Sequence, residues 1–240
     1  MTKASDHPAV AAPHSQTLSR GVRVLEILAE APGALSIADL SAALGVHRSI
    51  AYRILRTLED HGLVIRDGAG LVLLGPRLAA LARGVYRDLQ SAVLPELTSV
   101  ANELGMTAFL VVLDQRECVT LASIEPRHGL ATVGQRPGTR HPIERGAPGI
   151  AIQSSLSARE WAEIASDTAP RAEVETARSL GYATSHDEVI PGISSVSVAL
   201  RVPGQPPAAL AVVYVSGPQQ VADIGHRLQA AVAATVRDLA

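Results

Sequence analysis

Residues 35–76 read LSIADLSAALGVHRSIAYRILRTLEDHGLVIRDGAGLVLLGP, and this stretch decides the architecture of the N-terminal part of the chain. Ser36 followed by Asp39 is a capping-box pattern: the hydroxyl accepts an orphan backbone N–H and the carboxylate reaches back, opening a short helix that runs through Leu44. Gly45 closes it, since glycine enters the left-handed region without a Cβ penalty. A second helix opens almost at once, with Ile50, Ile54 and Leu58 on one face and Arg48, Tyr52, Arg53 and Arg56 on the others. Gly62 stops it. Leu63-Val64-Ile65 and Leu71-Val72-Leu73-Leu74 then flank Arg66-Asp67-Gly68-Ala69-Gly70, apolar strand material around a turn that tolerates positive φ, which predicts a β-hairpin.

Upstream, Leu18, Val22, Leu25 and Leu28 mark a helix from Leu18 to Ala31, ended by Pro32-Gly33. Three short helices and a hairpin, with a glycine between the second and third helices, follow the order of a winged helix-turn-helix. Burying Ile50, Ile54 and Leu58 turns the polar N-terminal residues of the third helix outward, where a recognition helix meets base edges in the major groove. His47, Arg48, Ser49, Tyr52 and Arg53 are therefore the candidates for reading DNA. An arginine forks onto guanine, whereas Ser and Tyr hydroxyls more often fix register on phosphates. Arg20 and Arg23 on the first helix, Ser36 at the start of the second and Arg66 in the wing complete the candidate set. For any single arginine, an ordinary solvated helix face is the alternative. The charge distribution favours the set: the chain is −2 overall, yet residues 15–85 carry eight Arg against six carboxylates, and 86–240 carry twelve against sixteen.

Downstream, Pro76 suits a helix start, and the stripe Leu78, Leu81, Val85, Leu89 predicts a linker helix over 76–93. Pro95 is placed to open a further helix ending near Leu104-Gly105. Beyond it MTAFLVVL and ECVTLASI, separated by Asp114-Gln115-Arg116, form one strand pair; SSVSVAL and ALAVVYVS, separated by a Pro/Gly-rich loop, form another. With helical patterns near 157–166, 170–180 and 219–239, they predict an α+β domain around an antiparallel sheet. The expected organisation is a disordered leader (1–16), a winged helix-turn-helix domain (17–75), a linker helix (76–93) and a second domain (94–240).

Several function classes are disfavoured. There is no apolar run of about 18 residues for a membrane span, and MTKASDHPAVAAPHSQT lacks a basic stretch followed by an apolar core, so a cytoplasmic location is expected. Cys118 is the sole cysteine, which excludes an internal disulfide and a cysteine zinc cluster; its apolar strand context suggests a buried thiol. His128, His141 and His186 lack ligand spacing and no phosphate-binding glycine motif occurs, so neither metal nor cofactor is expected. Trp161 reads as an anchor holding a surface helix on the sheet. Ser185-His186-Asp187-Glu188 has residue types for acid–base work, with His186 and Ser195 as base and nucleophile, but a loop of solvated charges explains it as well. A hydrolase-like enzyme with a fused helical domain is thus one rival; a metabolite-sensing protein adaptor that does not bind DNA is another, although 2% aromatic residues offer it few anchors. The run Gly146-Ala147-Pro148-Gly149 opens a helix whose positive end favours an anion, with a plain turn as the alternative; Pro148 has no N–H to contribute.

From about Thr17 to Pro218 the chain resembles the IclR family of bacterial transcription regulators. SRGVRVLEILAE, LSIADLSAALGVHRSIAYRILRTLEDHGLV and LVLLGPRLAAL follow the family's N-terminal pattern; PELTSVANELGMTAFLVVLDQRECVTLASIE, RPGTRHPIERGAPGIAI and GYATSHDEVIPGISSVSVALRVPG are similar to its C-terminal segments. The resemblance implies a GAF-like effector domain, operator DNA as partner, homodimers or dimers of dimers, and small organic or aromatic acids as effectors. It also implies an effector pocket with Ala147, Pro148 and Gly149 at a helix N-terminus and Ser185, Asp187, Ser195, Tyr214 and Ser216 around the wall. Some members that bind small keto acids carry Asp and Cys where Ser185 and Ser195 stand, a departure that weighs against a glyoxylate-like or pyruvate-like effector.

Overall fold

The computed structural model describes residues 15–128, 133–217 and 220–239, which form two compact units dividing between Val85 and Tyr86. Residues 1–14 of the expected leader lie outside the described residues, while Ser15 and Gln16 belong to the first helix: the Ser15 hydroxyl accepts the Leu18 N–H and caps it.

The N-terminal unit comprises α1 (Gln16–Glu30), α2 (Ile37–Ala43), α3 (Arg48–Asp60), the hairpin β1 (Val64–Arg66) and β2 (Val72–Leu74), and the short α4 (Arg77–Ala82). Val24 and Leu28 of α1, Leu40 of α2, Ile54, Leu55 and Leu58 of α3, and Val64 and Val72 of the hairpin bury one another in a single core. The capping box forms, with Asp39 N–H donating to Ser36 Oγ at 3.1 Å and Ser36 N–H to Asp39 Oδ2 at 3.1 Å. Replacing Ser36 by Ala strands one of these donors and is expected to destabilise the unit by about 1 kcal/mol in denaturant unfolding; no change would show that solvent satisfies the amide equally well. The hairpin turn is held by Asp67, whose Oδ1 accepts the Ala69 and Leu71 N–H groups at 2.9 and 2.8 Å, with Gly70 at φ +80°. The hairpin leaves α3 through Gly62 at φ +67°, and Gly75 returns so close that a Cβ there would stand 2.2 Å from the Gly62 carbonyl oxygen.

A single linker helix over 76–93 is not what forms. α4 ends at Ala82, and a new helix, α5 (Arg87–Leu104), begins after Tyr86, whose φ of 45° is left-handed. Gly84 sits between them, where helix propensity is weakest. Pro95 lies inside α5 instead of opening it. The stripe that suggested continuity is divided: Leu89 is fully buried in the second unit, while Leu81 and Val85 are exposed.

The second unit is built on a six-stranded antiparallel sheet in the order β5-β4-β3-β8-β7-β6. Its strands are β3 (Thr107–Asp114), β4 (Glu117–Ile124), β5 (Arg140–Pro142), β6 (Ala183–His186), β7 (Ile193–Leu200) and β8 (Ala208–Val215). α5 and α9 (Val221–Asp238) cover one face, burying Leu97, Leu228, Leu110, Val196 and Leu210 together. On the other face α6 (Gly146–Ser155), α7 (Ala158–Ile164) and α8 (Glu173–Leu180) pack Ile150, Trp161 and Val174 against Phe109, Val111 and Val213. Trp161 anchors α7 as expected, and its indole N–H donates to the Thr168 carbonyl at 2.7 Å. Cys118 is buried, which pushes its thiol up to about 12. The four long strands match the sequence expectation; β5 and β6 went unforeseen because they are three- and four-residue edge strands without an alternating apolar pattern. Among the described residues no helix is long and apolar enough to cross a membrane, and no cluster of metal-ligating side chains occurs.

Candidate functional site

Two sites emerge, one in each unit. In the first, α3 turns Ala51, Ile54, Leu55 and Leu58 into the core, which fixes the helix rotationally and sends its first turns to solvent. His47, Arg48, Ser49, Tyr52 and Arg53 line one shallow surface there. They do not play equivalent parts. His47 is the N-cap: its Nδ1 accepts the Ser49 N–H at 3.3 Å and lies 2.9 Å from Ser49 Oγ, so these two residues satisfy the helix start. Arg48 and Arg53 are exposed and have no carboxylate partner among the described residues. Tyr52, about half exposed, carries the Arg66 guanidinium over its ring at 5.7 Å.

The remaining sequence candidates are engaged differently from the expectation. Arg66 is half-buried and paired with Glu59 of α3, so it clamps the wing to the recognition helix and is not held out toward a phosphate. The Ser36 hydroxyl donates to its own capping partner Asp39 at 2.7 Å, a local closure that holds Asp39 below the usual carboxylate range. Arg23 pairs with Glu26 at 3.0 Å on the exposed face of α1. Arg20 lines the groove between α1 and α3 together with Arg53.

In the second unit a cavity of about 180 Å³ lies against the α6 face of the sheet. A cavity of roughly 150 Å³ is enough to hold benzene. Phe109, Val213 and Ile193 form its sheet side, and Val189 and Ile190, from the loop joining β6 to β7, stand at its outer side. Of the expected pocket residues, Pro148, Ser185 and Ser195 do line it. Ser185 Oγ accepts the Ala147 N–H at 2.9 Å, and Ser195 Oγ donates to the Val212 carbonyl at 2.8 Å. Gly149 has a packing role: a Cβ there would stand 2.1 Å from the Ile143 carbonyl oxygen.

Ala147 is buried in α6 and does not line the cavity, and three more expected residues fall elsewhere. β8 alternates its side chains, so Val213 faces the cavity and Tyr214 the opposite core, where burial raises its hydroxyl pKa. Ser216 joins Ser194 at 2.9 Å and His186 Nδ1 at 3.0 Å on that opposite face. Asp187, at φ 57°, has its carboxylate on Gly192 N–H at 2.5 Å and His186 Nε2 at 2.9 Å, closing the loop on itself. The same alternation separates the proposed acid–base pair: Ser195 faces the cavity, while His186 pairs with Ser194 on the other side.

Residues the sequence did not single out complete the site. Glu188 Oε2 accepts the Gly146 N–H at 2.9 Å and forms an ion pair with Arg171, while Arg145 donates to the Glu188 carbonyl. Burial pushes the Glu188 carboxyl up, but the Arg171 and Gly146 hydrogen bonds outweigh it and hold the pKa below the ordinary range. His141 lines the cavity, and burial pushes its imidazole down, favouring the neutral ring. Gln135 donates to Thr120 Oγ1 at 2.8 Å along another wall. Only cross-sheet register and loop closure bring these groups together.

Comparison with known proteins agrees with both halves. The IclR helix-turn-helix domain matches residues 17–68 and the bacterial transcriptional regulator IclR C-terminal domain matches 85–240. The HTH-type transcriptional regulator Rv1719 of Mycobacterium tuberculosis is 30% identical over 200 residues, covering 78% of this chain and 77% of its own. An IclR transcriptional regulator from Alicyclobacillus acidocaldarius has a similar structure, with a TM-score of 0.81 at 24% identity over 95% of this chain and all of that one. So has an IclR homolog from Microbacterium hydrocarbonoxydans complexed with 4-hydroxybenzoate, at a TM-score of 0.78 and 23% identity over 93% of this chain and 99% of that one. With family models spanning both units and a curated relative aligned across most of its length, this chain belongs to the IclR family of bacterial transcriptional regulators.

Proposed function

We propose that this IclR-type, DNA-binding regulator acts in the cytoplasm as an operator-binding repressor, released or reinforced by a small organic-acid or aromatic effector bound in the cavity beside α6. The observation that carries the reading is an α3 seated by its buried face, whose Arg48 and Arg53 have no carboxylate partner among the described residues, together with a ring-sized cavity in the other unit. Two unpaired guanidiniums on the first turns of a helix held by its buried face suit bidentate guanine contacts. The chain acts as a homodimer or dimer of dimers: the exposed apolar residues Leu18, Val22 and Leu81 of the DNA-binding unit suit a second copy, as the family implies. Two-fold symmetry then sets pseudo-palindromic half-sites spaced by about one helical turn, roughly 34 Å, or a multiple of it. A ligand shifts operator affinity only as far as it binds the two states differently. Titrating single-ring catabolites and small organic acids into an operator-binding assay is expected to change operator affinity by about five-fold or more for at least one compound. Constant affinity across a broad panel would sink the effector part of this reading while leaving DNA binding intact.

A further inference from the structure

We propose that the cavity beside α6 selects an uncharged single-ring ligand over the corresponding carboxylate, because Glu188 already occupies the helix start that an anion would take. The inference rests on the reading of that cavity as the effector site and narrows its ligand class.

An anion entering a pocket at the start of a helix would be expected to take the free backbone N–H groups there. At the start of α6 these groups are taken. The Gly146 N–H donates to Glu188 Oε2 at 2.9 Å, the Ala147 N–H donates to Ser185 Oγ at 2.9 Å, and Pro148 has none. The two arginines that reach this corner are committed as well: Arg171 to the carboxylates of Glu188 and Glu173, and Arg145 to the main-chain carbonyl of Glu188. Among the described lining residues there is no lysine or arginine, His141 is held toward its neutral form, and the one formal charge is negative. A ligand carboxylate would therefore either meet Glu188 at close range in a half-buried site or have to displace it from Arg171 and Gly146. Both penalties act against the acid and leave a neutral ring untouched.

The test uses the full-length protein and a matched pair of probes, 4-hydroxybenzyl alcohol and 4-hydroxybenzoate, which share a ring and a hydroxyl and differ in charge. Calorimetric titration is expected to show the alcohol binding roughly ten-fold or more tightly than the acid. Glu188→Gln keeps a side chain that can accept from Gly146 but removes the charge, so it should shrink that preference by about ten-fold. Tighter binding of the acid by the unaltered protein, or an unchanged preference in Glu188→Gln, would each overturn the proposal. Binding of neither probe at millimolar concentration would overturn the ring-sized effector site itself. Binding of the alcohol with no change in operator affinity would sink the sensor reading alone and leave the ligand class standing.

Discussion

Replacing Arg48 and Arg53 together by Ala is expected to lower operator affinity by about a hundred-fold or more, with each single change giving roughly ten-fold or more, since a bidentate base contact contributes about 1–3 kcal/mol. Both side chains are exposed and without a carboxylate partner among the described residues, so their loss should leave the fold within about 0.5 kcal/mol of the unaltered protein. Arg227→Ala is the internal control: its guanidinium joins α9 to α5 through Glu103 at 2.5 Å and Ser99 at 2.8 Å, so it affects stability and leaves operator affinity unchanged. The salt dependence of binding separates two modes of contact. Loss of a phosphate contact makes the dependence of log affinity on log salt shallower by about one per arginine and weakens all sequences alike, whereas loss of a base contact relaxes discrimination at one position. Equal losses for all three substitutions would refute the assignment of α3 as the recognition helix. Arg66→Ala should act differently, loosening the wing from Glu59 and Tyr52 and weakening DNA binding through position alone.

Gly149→Ala is expected to destabilise the second unit by about 3 kcal/mol or more, lowering the melting temperature by roughly 6–12 °C. The added methyl carbon would stand 2.1 Å from the Ile143 carbonyl oxygen and 2.9 Å from its carbonyl carbon. Both are backbone atoms, and Ile143 is fully buried with its carbonyl accepting the Gln153 side-chain amide at 2.8 Å, so neither partner can yield cheaply. Gly134→Ala, with nothing within 4 Å, should change stability by less than about 0.5 kcal/mol. An unchanged melting temperature for Gly149→Ala would show that α6 slides away from the loop after β5. It would also return Gly149 to the ligand-contacting role that the family resemblance implied.

The N-terminal unit was legible residue by residue because its determinants are local. The Ser36–Asp39 box, the stops at Gly45 and Gly62, and the Asp67–Gly70 turn each work within about five residues of chain, and they form as expected. Periodicity likewise located four strands and the three C-terminal helices of the second unit. Where it misled, a non-local contribution was involved. The stripe from Leu78 to Leu89 suggested one helix, yet Leu89 belongs to the core of the second unit and the chain breaks near Gly84.

The pocket follows the same division. By itself the amino-acid order determined that a recognition helix stands between two glycine stops, that a helix opens at Gly146, and that Ser195 lies on a strand paired with the one carrying Tyr214. Only the tertiary structure decided that Tyr214 and Ser216 turn away from the cavity while Ser195 turns toward it, and that Glu188 reaches back 42 residues to the Gly146 amide. The reason is physical: a helix cap or tight turn is closed by neighbours in the chain, whereas the face a strand residue takes and the partner a loop carboxylate finds depend on sheet register and on which distant segment lies within hydrogen-bonding reach.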